Sequence, residues 1–218
     1  MALETFLTTD LLENFDSQNY KNFKGVKAPT ESSDSVSFDL LDKVIPFIVE
    51  EGTGSVTYKN PQKKKIYVTN YEEFINSIPK NLQIGKKRCD FIVYQEDDNL
   101  FFILNELSQS RNIDSKESDA LYQLQNSLQN LTSVSSIKSK INSCAQKLCI
   151  FSNIVKRIDS PLGMANGFNE TFMTMQQYAV PFDYDGINGF GFVYYRANFV
   201  EITDILTLKN IRKSAEVK

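Results

Sequence analysis

The sequence predicts an α/β fold with a central sheet flanked by helices, and three observations carry that expectation. Two apolar, β-rich runs, Cys89–Tyr94 and Leu100–Leu107, are separated by the polar cluster QEDDN, the pattern of a β-hairpin. A helical stripe follows, with Leu121, Leu124, Leu128 and Leu131 spaced three, four and three residues apart. Lys147–Phe151 then reads as a further strand. Composition agrees: 218 residues, 41% hydrophobic and 23% charged, suit one globular domain, or one domain with a small appendage, and argue against disorder along the whole chain.

In chain order, residues 1–36 are expected as an N-terminal helix and polar arm, and 37–218 as the α/β domain. Leu3, Phe6, Leu11 and Phe15 place a short amphipathic helix over 1–15, with a second cap at Thr8, Thr9 and Asp10. Residues 16–36 are rich in Ser, Asn and Lys and read as a loop or loosely held arm. The apolar segment 37–51 suggests a buried helix ending at Glu50–Glu51, although Pro46 argues for a break in it. Val56–Tyr58 and Ile66–Val68 read as strands of a hairpin whose tip, KNPQKKK, is a solvated lysine run. Phe74, Ile75 and Ile78 share a face of a short helix over Tyr71–Ile78. Asp114 and Glu117 form a capping-box pattern opening the leucine-striped helix. A second helix over 134–146 uses Ile137, Ile141 and Ala145. Tyr178–Phe182 and Phe190–Tyr195 suggest a hairpin around DYDGING, and KNIRKSAEVK a helical or frayed basic tail.

Several function classes drop out. The chain has no histidine, so the usual general base and every Ser/His or Cys/His nucleophilic pair are missing. Net charge is −3, so no global positive field draws nucleic acid, and any such contact needs a local basic patch. Cys89, Cys144 and Cys149 are odd in number and lack CxxC spacing, which fits small buried hydrophobes in a reduced, cytoplasmic setting. The opening MALETFLTTDLLENF has no basic region and carries acids, unlike a signal peptide or membrane span.

The hairpin carries the most specific signal. Strand side chains alternate faces, so Glu106 and Ser108 point with Phe102 and Leu104. A turn centred near Asp97–Asp98 sets Asp90 opposite Asn105 or Glu106. Opposed carboxylates on one face, with Cβ atoms about 5 Å apart, repel unless one is protonated or a cation bridges them. Magnesium is a hard cation that takes oxygen ligands of this type. Acids at strand ends are also common without any metal, and a one-residue slip separates the pair.

The stretch KKRCDFIVYQEDDNLFFILNELSQS resembles the core motif of the PD-(D/E)xK nuclease superfamily: an Asp at the start of one strand, a hairpin, then E-x-K on the next strand and a helix. Asp90 matches the family Asp and Glu106 the family Glu. The resemblance spans about residues 45–155 and implies a restriction-endonuclease-like core with a mixed sheet flanked by helices. It implies magnesium at Asp90 and Glu106 when such a site is active, and no cofactor when it is not. Glu50 or Glu51 would supply the further acid that some members bring from a preceding helix. The helix DALYQLQNSLQNL offers Gln123 and Gln125 for the glutamine that often faces the family site. Ser108 stands where the family has its lysine, and it brings neither a positive charge nor a useful base. A displaced lysine would be Lys116, or Lys86 or Lys87; Lys86, Lys87, Arg88 and Gln123 are the candidate nucleic-acid contacts, with Lys63–Lys65 a second basic run.

Three readings follow. The first is a degenerate nuclease-fold subunit that binds nucleic acid or a protein partner, a second copy included, in a restriction, repair or phage-defence system of prokaryotic or phage origin. The second is an active magnesium-dependent endo- or exonuclease with catalytic Asp90, Glu106 and Lys116. The third is a purely structural interaction domain. No membrane partner is expected.

Overall fold

A computed structural model of the chain describes residues 3–83, 85, 87–109, 113–153 and 178–209. Two mixed sheets and a layer of helices stack on one another. The larger sheet runs β1-β5-β6-β7-β8-β10-β9, from β1 (Thr30–Ser33), β5 (Ile66–Asn70), β6 (Phe91–Tyr94), β7 (Phe101–Ser108), β8 (Gln146–Asn153), β9 (Pro181–Phe182) and β10 (Val193–Arg196). The smaller runs β12-β11-β4-β2-β3, from β2 (Ser37–Leu40), β3 (Ile48–Val49), β4 (Val56–Lys59), β11 (Phe199–Ile202) and β12 (Leu206–Lys209). The expected α/β class holds. Among the described residues no helix is long and apolar enough to cross a membrane.

Alternation explains the layering. Phe91, Val93, Phe101, Ile103, Leu148 and Ile150 leave one face of the large sheet and pack against Phe38, Leu40, Val56 and Tyr58 of the small one. Ile92, Tyr94, Phe102, Leu104, Cys149 and Phe151 leave the other face and pack under the helices. Both faces of β6 are therefore covered, and its four residues are all buried. A strand covered on both sides reads as a continuous apolar run. Asn105 on the sheet–sheet face accepts from the Tyr58 hydroxyl at 2.8 Å and donates to Ile150 O at 3.1 Å and Ser152 Oγ at 3.0 Å, so this buried amide is well partnered.

The hairpin forms with Phe91 opposite Asn105 and Tyr94 opposite Phe102, antiparallel. After β7 the chain enters α5 (Ile113–Thr132) and α6 (Ser135–Ser143), then returns as β8 parallel to β7. Leu124, Leu128 and Leu131 are buried as expected, as are Ile137 and Ile141, while Ala145 lies beyond α6 and is exposed. Asp114 falls within the first turn of α5, and Glu117 turns inward to Tyr194 and Arg196.

Other segments differ from the sequence reading. Helix α1 (Leu3–Phe6) and α2 (Leu12–Phe15) are joined by a π-helical turn over Leu7–Leu11 instead of a cap. Thr8 and Thr9 return their hydroxyls to Glu4 O at 2.8 Å and Thr5 O at 2.6 Å, which keeps the chain helical, and Leu3, Leu7, Leu11 and Leu12 enter the core. The polar segment after them contains β1, which pairs antiparallel with β5. Residues 37–51 form β2 and β3, not a helix, because Phe38 and Leu40 enter the core at a period of two while Pro46 denies a helix one of its donors. β4 and β5 do not make a hairpin; they belong to different sheets, and the lysine-bearing link crosses between layers. Buried Asn60 shapes that link, accepting from Lys64 N at 3.0 Å and donating to Lys64 O at 2.7 Å.

The short helix is α3 (Tyr71–Ser77), with Asn70 as its cap, followed by α4 (Lys80–Gln83). β9 and β10 pair antiparallel around α7 (Asp185–Asn188), close to the expected second hairpin. β11 and β12 are antiparallel strands that the sequence reading missed. The tail beyond Lys209 lies outside the described residues.

Candidate metal centre

Asp90 precedes β6, and the register that pairs Phe91 with Asn105 carries on to set it opposite Glu106. Both carboxylates leave the helix-facing side of the sheet, where a cleft of about 470 Å³ opens at the end of the hairpin away from its turn. Asp90 is 5% exposed and Glu106 8% exposed. The cleft is also lined by Asp42 from the β2–β3 turn, by Glu72 from α3, and by Asp119, Lys116 and Gln123 from α5.

Backbone contacts bring these acids together. The Asp90 carbonyl accepts from Tyr71 N at 2.9 Å and Glu72 N at 3.3 Å, so the first turn of α3 hangs from the residue it faces. Leu107 N donates to Asp90 Oδ2 at 2.7 Å and fixes that carboxylate against β7. From above, α5 secures the approach to Asp90: Gln123 donates to Arg88 O at 2.9 Å, and Cys89 N donates to Ser127 Oγ at 2.8 Å. Oxygens of Asp42, Glu72 and Asp90 lie within 4.8 Å of one another. Glu106 Oε2 is buried with no hydrogen-bond partner.

Electrostatics follow from this crowding. Burial pushes the Asp90 carboxyl up to about 8, and the charges of Asp42 and Glu72 push the same way against the Leu107 hydrogen bond and Lys43. Burial likewise raises Glu106 well above the usual carboxylate range, with Asp90 and Glu72 adding to it. The cleft's lining counts Asp42, Glu72, Asp90, Glu106 and Asp119 against Lys43 and Lys116. Lys116 pairs with Asp119 at 3.7 Å, and Lys43 with Asp42 at 3.4 Å.

Thus Asp90, Glu106, Lys116 and Gln123 of the sequence-derived set line one cleft, although Gln123 is engaged with the backbone. Arg88 turns to Asn76 and Glu72 instead of solvent, and Lys87 is exposed without lining the cleft. Lys86 lies outside the described residues. Glu50 is exposed and does not line the cleft, and Glu51 pairs with Lys59 at 2.6 Å, because the segment carrying them is a hairpin and not a helix aimed at the site. Gln125 faces Tyr184. In the second basic run, Lys64 pairs with Asp204 at 3.6 Å and Lys65 sits 5.2 Å from the Tyr67 ring centre. The sequence reading missed Asp42, Lys43 and Glu72. No local pattern marks the first two, and Glu72 lies beside the apolar positions that identified its helix.

Burial raises all three cysteine thiols, which makes them poor nucleophiles at neutral pH and fits a packing role. Comparison with protein-family models, curated proteins and solved structures gives no match. Asp42, Glu72 and Asp90 make an oxygen-donor group that could hold a metal ion, and Glu106, with its orphaned oxygen, lines the same cleft.

Proposed function

We propose that the chain is a divalent-cation-dependent phosphodiesterase of the PD-(D/E)xK nuclease kind, acting on nucleic acid. The observation that carries this reading is the Asp42, Glu72 and Asp90 group, whose oxygens lie within 4.8 Å of one another, with the buried, unpartnered Glu106 Oε2 lining the same cleft. Uncompensated buried carboxylates cost on the order of several kcal/mol each, because the ion loses its hydration. Such clusters concentrate where a protein binds or reacts. The order hairpin, helix, returning parallel strand supports the same reading, since it places Asp90 and Glu106 at one end of adjacent strands.

Asp90 and Glu106 would hold the cation, with Asp42 and Glu72 completing its oxygen set. A bound magnesium ion would polarise a phosphoryl oxygen and lower the pKa of water. The chain itself orients those carboxylates: Leu107 N fixes Asp90, and the Asp90 carbonyl fixes the start of α3. Lys116 and Lys43 supply the positive charge that Ser108 lacks. A non-catalytic nucleic-acid module is disfavoured by the same acids, because without a cation they repel phosphate. Ser108 is the one feature that favours such a module, and it would take up cation without cleaving.

The test combines two readouts on the wild type and Glu106→Gln. Magnesium or manganese at pH 8 is expected to raise Tm by several degrees in the wild type and to support cleavage of labelled DNA or RNA. Both effects should vanish in the variant. No cation-induced shift, or cleavage that survives Glu106→Gln, would overturn the assignment.

A further inference from the structure

The turn between β2 and β3 contributes more than Asp42. Its base is locked from three sides. Leu41 N donates to Phe47 O at 3.0 Å, and Phe47 is buried with its ring 5.4 Å from that of Phe91, the residue after Asp90. The Glu31 carboxylate accepts from Phe47 N at 3.2 Å and Ile48 N at 2.9 Å, tying this turn to the edge of the large sheet. On that fixed base, Asp42 enters the acid cluster, and Lys43, in the left-handed region at φ 63°, lines the same cleft.

The next three residues, Val44, Ile45 and Pro46, face solvent, and Ile45 is 83% exposed. Folding gains nothing from apolar side chains left in water, and these three are contiguous and next to residues that line the cleft. Its position selects the ligand. Lys43 and Ile45 stand two residues apart on one turn, so a ligand with a phosphate at Lys43 would bring an adjoining group near Ile45. In a duplex the faces of the bases are hidden by stacking, leaving sugar, phosphate and base edges. In a single strand those faces are open to an apolar side chain.

We infer that the Asp42–Pro46 turn is a substrate-holding element, with the Lys43 ammonium on a phosphate and Val44, Ile45 and Pro46 against the face of an adjoining unstacked base. The preferred substrate is accordingly a single-stranded nucleic acid. This inference rests on the phosphodiesterase reading and narrows its substrate class. It also gives the apolar tip and the acid cluster one shared purpose, since Asp42 and Lys43, which lead directly into the tip, line the cleft.

Fluorescence anisotropy with a labelled single-stranded 20-mer and its duplex, both in calcium, provides the test, with Val44→Ser/Ile45→Ser and Lys43→Ala beside the wild type. The wild type is expected to bind the single strand more tightly than the duplex. The tip variant should lose about fivefold to tenfold on the single strand and little on the duplex, in line with the loss of one base contact. Lys43→Ala should weaken both and lower the salt slope by about one. The tip side chains are exposed, so the tip variant should keep the wild-type Tm and its cation-induced shift. Equal affinity for the two nucleic acids, no binding to either, or unchanged single-strand affinity in the tip variant would overturn the inference. An intact cation shift alongside any of those results leaves the metal reading standing. Loss of the shift in the wild type removes that reading first.

Discussion

Two buried carboxylate sites stand at neighbouring places in this fold, and they are held in opposite ways. Glu117, on α5, accepts from the Tyr194 hydroxyl at 2.8 Å and from two nitrogens of Arg196. Arg196 lies over the Phe182 ring, 4.9 Å from its centre. Every element of that cluster answers a charge or a donor, and it ties α5 to β10. Glu106 shares its cleft with Asp90, Asp42 and Glu72, and its Oε2 has no partner. The first arrangement is what structure alone requires of a buried acid. The second leaves a buried carboxylate oxygen open in an acid-lined cleft, the place the proposed cation would fill. Adjacent Asn105, on the opposite face of β7, is satisfied by Tyr58, Ile150 and Ser152, so the two faces of one strand differ at this point.

The comparison can be broken most sharply at Arg196. Arg196→Ala leaves Glu117 buried without its cation, and the guanidinium is half exposed, so the expected loss is about 2–3 kcal/mol by urea denaturation. In a Glu117→Gln background the same substitution should cost about 1 kcal/mol, because the two residues act as one unit. Equal costs in both backgrounds would show that the cluster is not a charge-satisfying unit.

At the cleft the sign reverses. Asp90 is pushed up to about 8 and Glu106 is raised, so both hold protons more tightly folded than unfolded. The stability they contribute is complete below about pH 4 and is lost as pH rises toward 8, since the unfolded chain releases its protons first. In chelator, the cleft should therefore cost the protein about 2 kcal/mol between pH 5 and pH 8, and magnesium at pH 8 should restore it. An Asp90→Asn/Glu106→Gln protein run in parallel isolates this slope. If its pH profile matches the wild type, the cleft acids are not the source.

The smallest effect is the most direct. Glu106→Gln replaces a carboxyl that ionises freely only in the unfolded chain, and should stabilise the metal-free protein by about 1 kcal/mol at pH 8. A loss of stability instead would mean that Glu106 is held by the fold as Glu117 is.

The sequence by itself determined the hairpin, its faces and its register to within one residue, because alternation over neighbouring positions encodes which way a strand side chain points. The leucine stripe of α5 was legible for the same reason, since helical periodicity is a local property. Asp90 and Glu106 inherit their shared face from that local pattern. Tertiary structure alone decided the rest. Residues 37–51 are rich enough in apolar side chains to suit a helix, and only pairing with β4 selects the strands. Asp42 and Glu72 reach Asp90 from separate segments of the chain, and Glu117 meets Arg196 across 79 residues. No spacing rule spans such separations. They are set by which layers pack together, and packing depends on the summed burial of both sheets and helices rather than on any short stretch of residues.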